Sequence, residues 1–150
     1  MLNELLGRFS RSPDARSSKL EAIRAVVEDD MAQVEQYILT GFDSEVSLVR
    51  TIGSHMLGLR GKLLRPLTVV LTARALGYRG SKHCALGAVL ELVHAATLLH
   101  DDVVDQSSMR RGKLSANELW GNSASVLVGD FIVSRALEMA AGIGDPHIVK

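Results

Sequence analysis

The sequence is poor in the residues that several architectures depend on. Aromatics make up only 4% of its 150 residues, with one tryptophan, two tyrosines and three phenylalanines. A core must then be built from Leu, Val, Ile and Ala, and that composition suits helices better than sandwiches. The single cysteine, Cys84, excludes an intrachain disulfide. Its apolar helical setting points to a reduced, buried thiol in a cytoplasmic protein. Seventeen basic and seventeen acidic residues cancel, so no overall field draws in nucleic acid. No secretory signal is expected from the opening residues, where Glu4, Arg8 and Arg11 break up the apolar residues. The longest apolar region, Cys84 to Leu99, is interrupted by Glu91 and His94. It falls short of the roughly 20 apolar residues of a membrane span, so it is expected to be a buried core helix.

The length suits one domain with a proper core. Residues 1–17 are polar and arginine-rich and are expected to form a mobile arm. An all-α domain is expected over 18–150. Ser17 or Ser18 can cap a first helix, striped by Leu20, Ile23, Val27, Val34 and Ile38 and ending at Gly41. Ser44 can cap a second, through Val46, Val49, Ile52 and Met56, which breaks at Gly58-Leu59-Arg60-Gly61-Lys62. Pro66 opens a third helix, and Leu67 to Leu76 is so uniformly apolar that this helix should be internal. Ser81 caps a long helix through Ala85, Val89, Leu92, Val93, Ala96 and Leu99. Ser115-Ala116-Asn117-Glu118 has the form of a capping box, and Ser123 can cap a last helix ending near Gly142. No internal repeat, low-complexity tract or strand-like alternation appears.

What the chain does have is one dense charge cluster. Asp101, Asp102 and Asp105 follow directly on the long apolar helix, and Arg110 and Arg111 come soon after. Asp101 and Asp105, four apart, share a helix face, while Asp102 turns away. Carboxylates stacked at a buried helix end need a counter-charge. An all-oxygen set suits a hard divalent cation such as magnesium, which takes one or two carboxylates and leaves room for water and phosphate. Asp101 and Asp105 are the expected ligands, with Asp102 supporting the metal or its waters. The bland alternative is an ion pair to Arg110 or Arg111.

A second basic segment runs from Arg60 to Arg65. Its glycines let backbone N–H groups approach an anion, and Lys62 and Arg65 flank a helix N-terminus. The spacing fails the phosphate loop of nucleotide hydrolases, because only two residues separate Gly58 from Gly61 and Leu63 follows the lysine. Zinc is disfavoured, since His94 and His100 lie on different faces. His94 shares the face of Asp101, whereas His100 reads as a core histidine satisfied by a carbonyl. Ala96, Thr97, Val93 and Leu90 continue below the acids as a small-residue, apolar groove. An amphiphile with a diphosphate head and a hydrocarbon tail would fit.

These residues resemble the trans-isoprenyl diphosphate synthases, and among them the bacterial enzymes with octaprenyl products. Gly61-Lys62-Leu63-Leu64-Arg65-Pro66 is similar to the family's Gly-Lys-x-x-Arg-Pro motif. Asp101-Asp102-Val103-Val104-Asp105 resembles its first aspartate-rich motif. Met109-Arg110-Arg111-Gly112-Lys113 and Leu127-Val128-Gly129-Asp130-Phe131 are similar to recurrent blocks that follow. The resemblance implies the N-terminal half of an isoprenoid synthase bundle, acting as a homodimer. It implies that Lys62, Arg65, His94 and Arg111 hold isopentenyl diphosphate. Asp101 and Asp105 would carry Mg2+ for an allylic diphosphate such as farnesyl diphosphate, with Arg110 on the same group. Ala96, Thr97 and Phe131 would set chain length, and the small pair before the aspartates implies a long product, octaprenyl or decaprenyl, for quinone side chains.

Two departures stand out. The lead into Lys62 is less glycine-rich than the family's, and the family's second aspartate-rich motif does not occur up to Lys150. These residues alone are therefore expected to bind diphosphate weakly and not to elongate. The rivals are a His-Asp phosphohydrolase built on His100-Asp101, a terpene cyclase, and a non-catalytic partner subunit.

Overall fold

One helix carries the fold. The computed structural model describes residues 13–59 and 61–148. Its helices are α1 (Pro13–Ala25), α2 (Glu28–Gly41), α3 (Ser47–Leu59), α4 (Leu64–Ala75), α5 (Lys82–Val104), α6 (Ala116–Trp120) and α7 (Asn122–Gly142). The all-α class expected from composition holds. The strands are β1 (Met109–Arg110) and β2 (Lys113–Leu114), an antiparallel pair between α5 and α6.

Helix α5 is central because its apolar residues recur at three and four. Cys84, Ala88, Leu92, Ala96 and Leu99 are fully buried, and the helix packs on α7, α4 and α2. Burial of such a stripe, rather than intrinsic propensity, is what holds a helix of this kind in place. By length and composition α5 is long and apolar enough to cross a membrane, contrary to the expectation from sequence. Half of that window is nevertheless buried inside the fold, as befits a core helix.

Several boundaries differ from expectation. The first helix is two, broken at Val26-Val27, where Val26 is exposed and Val27 turns into the core. Residues 13–17 belong to α1, so neither Ser17 nor Ser18 is a cap. Residues 1–12 and Arg60 lie outside the described residues. Ser44 sits three residues before α3, its hydroxyl accepting the Val46 N–H at 3.2 Å. Helix α4 is not internal. Only Pro66, Leu67 and Val70 are buried, because α5 and α2 cover just one side of it. Ser115 forms no capping box; its hydroxyl donates to the Ser107 carbonyl at 2.6 Å. Gly121, at φ 83°, separates α6 from α7, which starts at Asn122 rather than after Ser123.

A buried polar network ties α2 to α4 and α5. Asp30 accepts two hydrogen bonds from Arg74, Nε at 2.6 Å and Nη2 at 2.5 Å, and lies 3.3 Å from His83 Nε2. The Arg74 hydrogen bond keeps the Asp30 carboxyl below its ordinary range, against the opposing effect of burial. Cys84 is buried and unbridged, as expected, and burial, then Asp30, pushes its thiol up to about 11. Asp30, His83 and Cys84 come close enough to hold a metal ion, but Arg74 already supplies the positive charge there.

Candidate active site

The end of α5 sorts its three carboxylates by face. Asp102 falls three residues after Leu99 on the buried stripe and is only 1% exposed. Asp101 lies on the opposite, exposed face with Leu90, Val93 and Thr97. Asp105 is the C-cap and is exposed. The helix stops in a Schellman motif: the Gln106 N–H donates to the Val103 carbonyl at 3.3 Å, and the Ser107 N–H to the Asp102 carbonyl at 2.9 Å. Gln106 takes the left-handed conformation, φ 51°, that glycine usually supplies.

A tight hairpin delivers the arginines. Met109 pairs with Leu114 and Arg110 with Lys113. Arg111 and Gly112 form the turn at φ 50° and 77°, and positive φ at both central residues matches the twist of the strands. Ser115 closes the base of the hairpin on Ser107 and Ser108, and His55 Nε2 meets the Leu114 carbonyl at 2.9 Å. Arg110 then turns inward and donates to Asp102, Nε at 2.9 Å and Nη2 at 2.7 Å. That bond chiefly, with the charges of Asp101 and Asp105 adding, raises the Arg110 guanidinium further above its ordinary value. Asp102 therefore holds Arg110 and does not face solvent beside the other two acids.

Arg111 points the other way. Its guanidinium lies on the α-carbon of Gly61, where a Cβ would come within 2.8 Å of Nη2 and still closer to Nη1. Gly61 is the residue that lets the two segments touch. Leu63 follows at φ 48°, leading into α4 and leaving Lys62 and Arg65 exposed. Three non-glycine residues with positive φ, Leu63, Gln106 and Arg111, thus flank the acidic and basic segments. Such strain tends to collect at functional sites. Among the described residues Lys62, Arg65 and Arg111 make no ion pair.

Between these segments lies a cavity of about 40 Å³, lined by Gly61, Glu91, His94, Leu98, Arg110 and Arg111 among others. It has room for a few water molecules and not for a diphosphate. An anion would sit at its mouth. His94 is half-buried, and its imidazole is held below the ordinary histidine value by burial first and then by the charge of Arg65. Arg110 and Arg111 add to this effect and Glu91 opposes it. Lys62 and Arg65 bracket the Leu63–Leu64 entry to α4.

Ala96 departs from the expected groove. It is fully buried in the core, because it follows the Leu92 and Leu99 stripe rather than the exposed stripe of Thr97. Phe131 is half-buried on α7, packed against the core. His100 meets the Val126 carbonyl at 3.2 Å, the kind of partner expected of it, and Asp130 at 3.4 Å. Its side chain is 33% exposed, so it sits at the edge of the fold and not in the core. Gly129 makes room for this ring, since a Cβ there would lie 2.6 Å from its Cδ2. Glu91 was missed from sequence as a site residue. Its signal was the spacing of three to His94, which puts both on one face.

The sequence profile described as "Polyprenyl synthetase" matches residues 46–150. The chain is 47% identical over 131 residues to octaprenyl diphosphate synthase of Escherichia coli (strain K12), covering 87% of this chain and 41% of that protein. It is 35% identical over 129 residues to heptaprenyl diphosphate synthase component 2 of Geobacillus stearothermophilus, covering 86% of this chain and 40% of that protein. The crystal structure of polyprenyl synthase from Caulobacter crescentus CB15, complexed with calcium and isoprenyl diphosphate, superposes at a TM-score of 0.82. It has 40% identity over 85% of this chain and 39% of that one. The chain thus spans about two fifths of the length of the relatives it matches.

Proposed function

We propose, for a chain that belongs to the polyprenyl synthetase family, that it forms the diphosphate-binding part of a long-chain trans-polyprenyl diphosphate synthase. The reaction is head-to-tail condensation of isopentenyl diphosphate onto an allylic diphosphate such as farnesyl diphosphate. The product is of octaprenyl length, for a quinone side chain. The observation that carries this reading is the partition of charge about Arg110: among the described residues, carboxylates of Asp101 and Asp105 without an ion pair on one side, and Arg111, Lys62 and Arg65 without one on the other.

Lys62, Arg65, His94 and Arg111 would hold the isopentenyl diphosphate, each as a donor or a positive charge at the cavity mouth. Asp101 and Asp105 are exposed and unpaired among the described residues, and their oxygens fit a hard cation. They would hold Mg2+, which when bound supplies charge for the departing allylic diphosphate. Arg110, fixed by Asp102, adds a preorganised positive charge beside them. The allylic C–O bond breaks, its electron pair leaving with diphosphate. The isopentenyl double bond forms the new C–C bond, and a proton is lost. Leu90, Val93 and Thr97 would line the tail's path, with buried Ala96 behind them and Phe131 on α7 helping to bound it.

A cytoplasmic homodimer is part of this reading. A second reading, a partner subunit, draws on the likeness to a heptaprenyl synthase component. A decaprenyl product remains the alternative chain length within the first. Calorimetry with isopentenyl diphosphate tests the proposal. The chain is expected to bind it, and Lys62→Ala and Arg111→Ala each to weaken binding about tenfold, the worth of one charge-assisted hydrogen bond. Binding that neither variant alters would overturn the reading. These 150 residues alone are expected not to elongate, and diphosphate release with both substrates and Mg2+ would contradict that.

A further inference from the structure

We propose that Glu91 is a positioning residue of this anion site. Half-buried one turn before His94 and lining the same cavity as Arg111, it supplies the counter-charge that keeps His94 able to take a proton when a diphosphate arrives. The inference rests on the reading of Lys62, Arg65, His94 and Arg111 as a diphosphate site.

Oε2 of Glu91 is buried without a hydrogen-bond partner. Among the described residues, Glu91 is the only carboxylate lining the cavity, whose other charged or titratable groups are His94, Arg110 and Arg111. A buried carboxylate oxygen is costly unless a positive group closes on it. Arg110 is committed to Asp102, which leaves His94, one turn further along α5, and Arg111 from the hairpin. The charged groups facing His94 are Arg65 from α4, Arg110 and Arg111 from the hairpin, and Glu91 from α5 itself. Three are positive and favour the neutral ring; Glu91 alone opposes them. An incoming diphosphate offsets the arginines. With Glu91 beside it, His94 then accepts a proton and donates a charge-assisted hydrogen bond to the anion. Without Glu91 the ring stays neutral to lower pH.

The test is an NMR titration of the His94 ring in this chain, assigned with His94→Gln, in the parent and in Glu91→Gln, free and with inorganic pyrophosphate. In the parent, His94 is expected to titrate below the ordinary histidine range and pyrophosphate to raise its midpoint. Glu91→Gln is expected to lower both midpoints by roughly one pH unit, the effect of removing a neighbouring opposite charge. Unchanged midpoints overturn the proposal, because a merely structural Glu91 would alter folding and leave the titration in place. If Glu91→Gln does not fold, Glu91→Asp is measured instead: a displaced midpoint supports the proposal and an unmoved one overturns it. If pyrophosphate leaves the parent's His94 unmoved while Glu91→Gln still lowers the free midpoint, the diphosphate reading fails and the Glu91–His94 coupling stands.

Discussion

Arg110 clasps Asp102 through two nitrogens, Nε at 2.9 Å and Nη2 at 2.7 Å, and so divides the acidic motif in two. One aspartate becomes a buried anchor for the hairpin, and two are left facing solvent. Breaking this pair strands a charge that is only 24% exposed. Asp102→Asn is therefore expected to cost about 3 kcal/mol of stability, read as a lower urea midpoint at unchanged slope. Asp101→Asn, on the exposed face, should stay within about 0.5 kcal/mol of the parent.

The end of α5 should be improvable. Gln106 holds the left-handed position of the Schellman motif at φ 51°, where a side chain costs about 1–2 kcal/mol that glycine avoids. Gln106→Gly loses part of this gain to the entropy of the unfolded chain. A net rise of about 0.5 kcal/mol is expected in urea unfolding.

The contact of Arg111 with Gly61 separates binding from folding. In Gly61→Ala the new methyl meets the far end of a flexible side chain, so the guanidinium moves and the helices do not. Stability should change by less than about 1 kcal/mol. Pyrophosphate binding, measured by calorimetry, should weaken roughly tenfold as one charge-assisted hydrogen bond is lost.

Much of this was readable in the chain. The stripe from Leu92 through Leu99 marked α5 as a core helix, and continuing it by three residues reaches Asp102, whose burial was available from the same periodicity. What periodicity could not give was the path of short segments. The hairpin rests on positive φ at Arg111 and Gly112, a backbone choice outside the usual Asn-Gly turn signal. The break at Val26-Val27 is invisible because both residues are good apolar fillers of a helical stripe. Helix α4 looked internal because its residues are apolar, but which faces a helix covers depends on its neighbours. Ala96 was misplaced by one position on the helix, a turn of about 100°, enough to move it from the exposed face to the core.

Acid should weaken the junction of α2 with α4. The Arg74 hydrogen bond depresses the Asp30 carboxyl below its ordinary value of 3.8. A depressed carboxyl contributes stability that is present above the unfolded value and is lost as pH falls through the folded one. The stability difference between parent and Asp30→Asn, measured by urea unfolding, should be full at about pH 5 and shrink as the pH falls through and below the ordinary carboxylate range. A difference independent of pH over that interval would rule out Asp30 as the titrating group.

The most direct measurement of the central claim is calorimetry of pyrophosphate binding with and without Mg2+, in the parent and in the double variant Asp101→Asn, Asp105→Asn. The account predicts that Mg2+ strengthens binding in the parent about tenfold or more. In the double variant the magnesium effect should vanish while the magnesium-free binding to Lys62, Arg65 and Arg111 persists. An undiminished magnesium effect in the double variant would contradict the assignment of the metal to Asp101 and Asp105.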